Sequence, residues 1–207
     1  MNPKDILKIT INLTIVCVLA GIILASTYAK TEPVKVRAEE REKQLALKSL
    51  LPEADKISEI GKVQLIEGKP EGDIYAGDKS GQTIGYVTDA IGKGYSSFIK
   101  MLVAVDPQYR IKAIDILSHG ETPGLGDGIT ERWFQDQFKG KTVDQLEVVK
   151  VETKDKIQAL SGATISSRGV TNGVKDAIIK LEGKLKEEST KAQGVTEKSP
   201  ENPGTSR

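Results

Sequence analysis

The residues best suited to chemistry lie between Ser161 and Val174, in the run SGATISSRGVTNGV. A loop of small residues here leads into a helix with hydroxyl groups at its mouth. The first turn of a helix leaves amide hydrogens without partners and directs the positive end of the macrodipole at whatever sits there, which is the geometry of an anion site. Gly162 and Ala163 keep side chains clear of a close approach to the backbone, and Thr164, Ser166 and Ser167 offer hydroxyls, so a phosphate fits. A plainer arrangement fits the same residues: Thr164 or Ser166 caps the helix and Gly162 serves a tight turn. Residue types alone leave both open.

A second segment, HGETPGLG from His119 to Gly126, combines a fixed torsion at Pro123 with two glycines, Gly124 and Gly126, that permit close backbone approach. Glu121 and Thr122 can hydrogen-bond a ligand or a neighbouring loop, and Leu125 offers an apolar surface. The alternative is a turn whose glycines serve geometry alone, with Glu121 in solvent. His119, the single histidine, is by type a candidate for proton transfer, but a lone histidine after a strand reads first as structural or solvated.

The composition excludes much. One cysteine and one histidine rule out a disulfide framework, a cysteine-ligated iron–sulfur cluster, bis-histidine haem and a Cys/His zinc site built from this chain alone. No metal site and no catalytic residue are assigned; any redox chemistry must come from an organic cofactor. Thirty Lys and Arg against 29 Asp and Glu leave a charge of +1, which gives no argument for nucleic acid as a partner. At 207 residues, one domain of ordinary size plus attachments is expected.

The elements that must position these segments follow from the hydrophobic pattern. Residues 9–28, ITINLTIVCVLAGIILASTY, are uncharged and mostly aliphatic, about the 20 residues a helix needs to cross a bilayer. A cleaved signal peptide is the competing reading, although the run is longer than a usual signal core. Cys17 within it packs as a small hydrophobe, and Thr10, Asn12 and Thr14 either face protein or satisfy themselves on the preceding turn. Lys4 and Lys8 before the run balance Lys30, Lys35 and Arg37 after it, so charge does not set the topology. Residues 29–51 form a juxtamembrane linker, helical after Pro33 and closed by Pro52.

Strands are predicted in KVQLIE at Lys62, QTIGYVTDAI at Gln82, FIKMLVAVD at Phe98, RIKAIDIL at Arg110 and LEVVKVE at Leu146, with turns at Gly81, Asp106–Pro107 and Gly140. Helices are predicted from Ile129 to Phe138, where Trp133 and Phe134 are expected in the core, and from Ser166 to Leu185, where Val170, Val174, Ile178, Leu181 and Leu185 form one stripe. The fold class is α+β, with a mixed or antiparallel sheet and packed helices over residues 52–185. Residues 186–207 are polar and expected to be disordered.

The motif SGATISS resembles the flavin-attachment sequence of the FMN-binding domain family, in which the Thr of a (S/T)GAT motif is joined to the phosphate of FMN. HGETPGLG, GYSSFIKMLVAVDP from Gly94 and WFQDQFKGK from Trp133 resemble the Rnf complex G subunit and its relative, the C subunit of the sodium-pumping NADH:quinone oxidoreductase. The likeness covers roughly residues 50–185 and the amino-terminal helix, and the short overall length favours the Rnf protein. It implies covalent FMN on Thr164, held by Ser161, Gly162, Ala163, Ser166 and Ser167, with Glu121, Thr122, Gly124 and Leu125 as a second wall.

By the same resemblance the chain is an electron-relay subunit of an ion-translocating ferredoxin:NAD oxidoreductase, with no complete activity of its own. Its expected partners are other subunits of a membrane redox complex, the membrane itself through one helix, and a flavin transferase for maturation. Residues 1–8 are expected in the cytoplasm and the FMN domain outside it. One position departs from the family pattern: three places before Ser161, where an acidic residue is expected for the transferase, stands Gln158, with Asp155 three residues earlier. The rival readings are the quinone-reductase subunit or another FMN-domain reductase, and a non-redox membrane-anchored binding or scaffold module.

Overall fold

The structure is a computed structural model that describes residues 3–66 and 71–196. The chain divides into two compact units, Met1–Gln44 and Leu45–Arg207. Helix α1, Pro3–Leu50, supplies the described part of the first unit and begins the second. It is long and apolar enough to cross a membrane. Aliphatic side chains such as Leu13, Ile23 and Leu24 are exposed along it, which suits hydrocarbon and not water. Thr10, Ser26 and Thr27 each donate their hydroxyl to the carbonyl four residues back, so these hydroxyls need no outside partner. The helix does not restart after Pro33 as predicted but runs through it. Proline removes one intrahelical bond, and the good helix formers on both sides carry the helix across.

In the second unit five strands form an antiparallel meander in the order β1-β2-β3-β4-β5: Lys56–Val63, Gly72–Lys79, Gln82–Lys93, Phe98–Val105 and Ile111–Ser118. β3, β4 and β5 lie where the sequence predicts. β1 ends where KVQLIE begins, and β2, with its two glycines and two aspartates, gives no local strand signal. It is a strand because both of its edges are paired, to β1 and to β3. LEVVKVE contributes only β6, Val148–Val149, which pairs in parallel with β7, Ile157–Gln158.

The two faces of the sheet are covered separately. On one, Ile74, Met101, Val103 and Val105 share a core with Phe134, Phe138 and, from the carboxy-terminal helix, Val170, Val174, Ile178 and Leu181. On the other, Tyr75, Val87, Leu102 and Ala104 pack with Ala46, Leu47, Leu50 and Leu51. The alternation of β4 residues between the two cores is the period of a strand. Fully burying one such aliphatic side chain stabilises by roughly 1.5–3 kcal/mol.

The helix predicted at 129–138 is a 3-10 turn, Gly126–Thr130, followed by a short α2, Arg132–Asp136, whose Phe134 is buried. Helix α3, Thr164–Thr196, begins two residues before its predicted start and continues past Leu185 through the first part of the predicted tail. The rest of that tail, 197–207, lies outside the described residues. Where α3 crosses β3 the two backbones nearly touch. A Cβ on Gly169 would lie 2.5 Å from the Lys93 carbonyl oxygen, and one on Gly173 would lie 2.8 Å from the Gly92 nitrogen. Only glycine allows this approach.

Candidate functional site

The amino-terminal end of α3 opens onto a cavity of about 900 Å³, at the upper end of the roughly 300–1,000 Å³ usual for small-molecule sites. The SGAT loop, the HGETPGLG loop and α2 all contribute to its wall, as do Tyr95 from the β3–β4 connection and Lys150. Two segments that the sequence singled out separately are therefore parts of one site.

The SGAT loop turns at Gly162, whose φ of 74° lies in the left-handed region. A Cβ there would lie 2.9 Å from Leu125 Cδ1, so Leu125 seats against this glycine and joins the two loops. Gly124 also turns with a positive φ, 74°, and the Thr122 carbonyl then accepts the amides of Leu125 and Gly126 at 3.2 and 3.1 Å. The HGETPGLG segment is thereby closed into a compact turn.

The three hydroxyls of the motif that lie on α3 have different roles. Ser167 Oγ accepts the Leu160 amide at 3.0 Å and donates to the Ala163 carbonyl at 3.0 Å, which closes the loop onto the helix start. Ser166 Oγ donates to Glu121 in a short hydrogen bond. Both serines are buried and already engaged by the protein. Thr164 is the first residue of α3, lies in the cavity wall, and its hydroxyl makes no hydrogen bond among the described residues. The amides of Thr164, Ile165 and Ser166 have no acceptor within the helix, and that of Ser167 donates to the Ala163 carbonyl.

Glu121 is 5% exposed, and so is not the solvated carboxylate of the plainer reading. Its Oε2 accepts the Tyr95 amide and its Oε1 the Ser96 amide, both at 3.1 Å, besides the Ser166 hydroxyl. Burial by itself would raise its pKa. The hydrogen bonds from Ser166 and from the backbone at Tyr95, Ser96 and Ser97 outweigh burial and hold the carboxyl below its ordinary value.

Other residues stand where the sequence did not put them. Trp133 is half exposed and lines the cavity, whereas its neighbour Phe134 is fully buried; the two rings meet edge to face at 6.1 Å. Successive residues of a helical turn point in different directions, so one aromatic goes to the core and the next to the cavity. Tyr95, Lys150 and Ile165 also line it and were missed, because the signal that marks each of their segments does not say which of its side chains faces a cavity. Ser161 and Gly162 are exposed at the lip, and Ala163 is buried. His119 is outside the lining; its Nδ1 accepts the Glu121 amide at 3.3 Å, a structural contact.

Gln158 sits on β7 at the cavity wall. Its amide donates to the Gln137 side-chain oxygen at 2.7 Å, and its carbonyl accepts from the Gln137 side-chain nitrogen at 3.4 Å. Asp155 is exposed in the loop before it.

The arrangement offers a free hydroxyl at a helix start, a cation at Lys150, and a wall of Trp133, Leu125, Tyr95 and Ile165, four of the exposed large apolar side chains of this unit. Exposed apolar groups gathered around a single cavity mark a place that something else covers. A flat aromatic ring carrying a phosphate matches this chemistry at both ends.

Residues 94–179 match the FMN-binding domain family. The chain is 42% identical to the G subunit of the proton-translocating ferredoxin:NAD(+) oxidoreductase complex of Clostridium ljungdahlii, over 86% of this chain and 92% of that one. It is 32% identical to the G subunit of the Na(+)-translocating ferredoxin:NAD(+) oxidoreductase complex of Acetobacterium woodii, over 84% and 91%. The crystal structure of Shewanella oneidensis NqrC superposes with a TM-score of 0.49 at 29% identity, covering 56% of this chain and 62% of that one. The chain therefore belongs to the family of G subunits of ion-translocating ferredoxin:NAD(+) oxidoreductase complexes and carries an FMN-binding domain after its amino-terminal helix.

Proposed function

We propose that the chain is a membrane-anchored flavoprotein that relays electrons within an ion-translocating ferredoxin:NAD oxidoreductase complex, with FMN joined covalently to Thr164. The observation that carries the attachment is the contrast among the three hydroxyls of the motif that lie on α3. Ser166 and Ser167 are consumed by the fold, and Thr164 is the hydroxyl of α3 that presents an unbonded oxygen to the cavity, at the start of a long helix, whereas Ser161 stands before the helix at the exposed lip. In forming the bond the Thr164 hydroxyl gives up its proton, the Oγ1–P bond forms, and the leaving group of a flavin nucleotide departs with the electron pair. The chain gains FMN less one water.

When bound, FMN supplies the electron acceptor and donor that no side chain of this protein offers. The chain's own residues hold it. The helix start and Lys150 would hold the phosphate end, and Trp133, Leu125 and Tyr95 would hold the ring. An ester through phosphate leaves the ring's electronics to these contacts, so the bond acts as a tether that keeps local cofactor concentration independent of free flavin. Such retention suits a domain outside the cytoplasm, with residues 1–8 inside and α1 across the membrane. A flavin transferase installs the group, acting on a segment where Gln158 replaces the expected acidic residue. Other subunits of the redox complex exchange electrons with the domain.

The test is intact mass under denaturing conditions on the full chain coexpressed with a matched flavin transferase, followed by peptide mapping. The expected result is one FMN less one water on the peptide containing Thr164, and its complete loss in Thr164→Val. Flavin that stays covalently bound in Thr164→Val refutes the assignment.

A further inference from the structure

We propose that Glu121 is a positioning residue: its buried carboxylate clamps the first turn of α3 and so presents the Thr164 hydroxyl to the cavity, without itself touching the flavin. This rests on the reading of Thr164 as the attachment site. Donors from two distant parts of the chain converge on the carboxylate, among them the amides of Tyr95 and Ser96 and the hydroxyl of Ser166, 45 residues away. Little of it is left for a ligand, since an ionised carboxylate has about four acceptor sites. Backbone occupies much of the remaining space. A Cβ at Gly94 would collide with Oε1, and one at Gly126 would lie 3.0 Å from Oε2 and 2.8 Å from Ser166 Oγ. Glycine at both positions is what the clamp requires.

Ser166 stands two residues after Thr164 in the same turn, so fixing one fixes the other. A hydrogen bond to a buried charged oxygen is among the stronger kinds, and here it sets where the helix begins relative to the sheet. Ser167 secures the same junction from the other side, through Leu160 and Ala163. Between them the two bonds leave the helix start little freedom. An attacking hydroxyl held in place reacts faster than one that must be found, and a displacement of about 1 Å costs on the order of 100-fold.

The experiment compares the full-length wild type with Glu121→Gln and Ser166→Ala in flavin attachment by a matched transferase, with rates measured at saturating and subsaturating chain. Glutamine keeps the shape but turns an NH2 toward groups that donate. The expected result is a fall on the order of tenfold in the maximal rate for Glu121→Gln, with KM unchanged and the chain folded by circular dichroism, and a smaller fall for Ser166→Ala. A Glu121→Gln maximal rate within about twofold of wild type overturns the proposal. If the wild type itself takes up no flavin, the Thr164 reading fails, and hydrogen exchange on the unmodified chains decides the clamp separately. Faster exchange at Leu160 as well as at Tyr95 and Ser96 in Glu121→Gln supports it, and unchanged protection at Leu160 overturns it.

Discussion

Gly169→Ala sets two effects of comparable size against each other. Gly169 lies inside α3, where alanine is the better helix former by about 1 kcal/mol, so helix propensity expects stabilisation. The structure expects the reverse. The new Cβ would stand 2.5 Å from the Lys93 carbonyl oxygen, 2.9 Å from its carbon and 3.2 Å from Gly94 Cα. Carbon and oxygen settle at roughly 3.3 Å even in close backbone contacts, so helix and strand must part by about 0.8 Å at this point. The obstructing atoms are backbone at the end of a paired strand and cannot swing aside as a side chain would. The helix cannot retreat freely either, because Val170, Val174 and Ile178 beside it are fully buried. An overlap of this size against immobile backbone belongs in the upper part of the overpacking range, about 2–3 kcal/mol, which less the propensity gain of about 1 kcal/mol leaves a net loss of about 1–2 kcal/mol.

Gly183 in the same helix is the control, since nothing lies within 4 Å of its hypothetical Cβ. Gly183→Ala should stabilise by about 0.5–1 kcal/mol through propensity alone. Thermal unfolding followed by circular dichroism separates the two variants. At roughly 2–4 °C per kcal/mol for a unit of this size, Gly169→Ala should lower Tm by about 2–8 °C and Gly183→Ala should raise it by about 1–4 °C. If both alanines stabilise alike, the close crossing of α3 and β3 is refuted.

Acid sensitivity follows from Glu121. Its folded pKa lies below the unfolded value of about 4.3, so its stabilisation is fully present above that pH and is lost as pH falls through the folded value. In a series of Tm measurements from about pH 7 to about pH 3, Glu121→Gln should start lower and fall less steeply than wild type; parallel curves would contradict this assignment. Trp133→Ala should cost only about 1–2 kcal/mol, less than a fully buried tryptophan, because the ring is half exposed. In flavinylated protein the same variant should brighten flavin fluorescence by removing a quencher, and unchanged fluorescence would place the ring elsewhere in the cavity.

Local pattern accounts for much of what the sequence makes legible. Twenty uncharged residues read as a span without reference to any neighbour. The alternation in β3, β4 and β5 and the stripe through Val170, Val174 and Ile178 are each visible within a short stretch of chain. The segments HGETPGLG and SGATISS each stand out, because glycine, proline and hydroxyl residues carry their conformational meaning with them, but only the family resemblance pairs them as walls of one site. β2 is not visible: GDIYAGDK has two glycines and two aspartates, and only pairing on both edges makes it a strand. The extent of α1 through Pro33 and of α3 beyond Leu185 also escapes, because helix ends depend on small balances that a single proline or a few polar residues do not decide.

From its own order of residues this protein determined its α+β class, the apolar span and the two segments that line the cavity, since these depend on contacts a few residues apart. Tertiary structure alone decided which hydroxyl is free, that Glu121 is buried and engaged, and that Trp133 turns to the cavity while Phe134 turns to the core. It also decided that Gly92 and Gly169 must meet. The bond from Ser166 to Glu121 spans 45 residues. No local propensity encodes it, because the energy that favours it exists only once the sheet and α3 have packed and water has been excluded from the carboxylate.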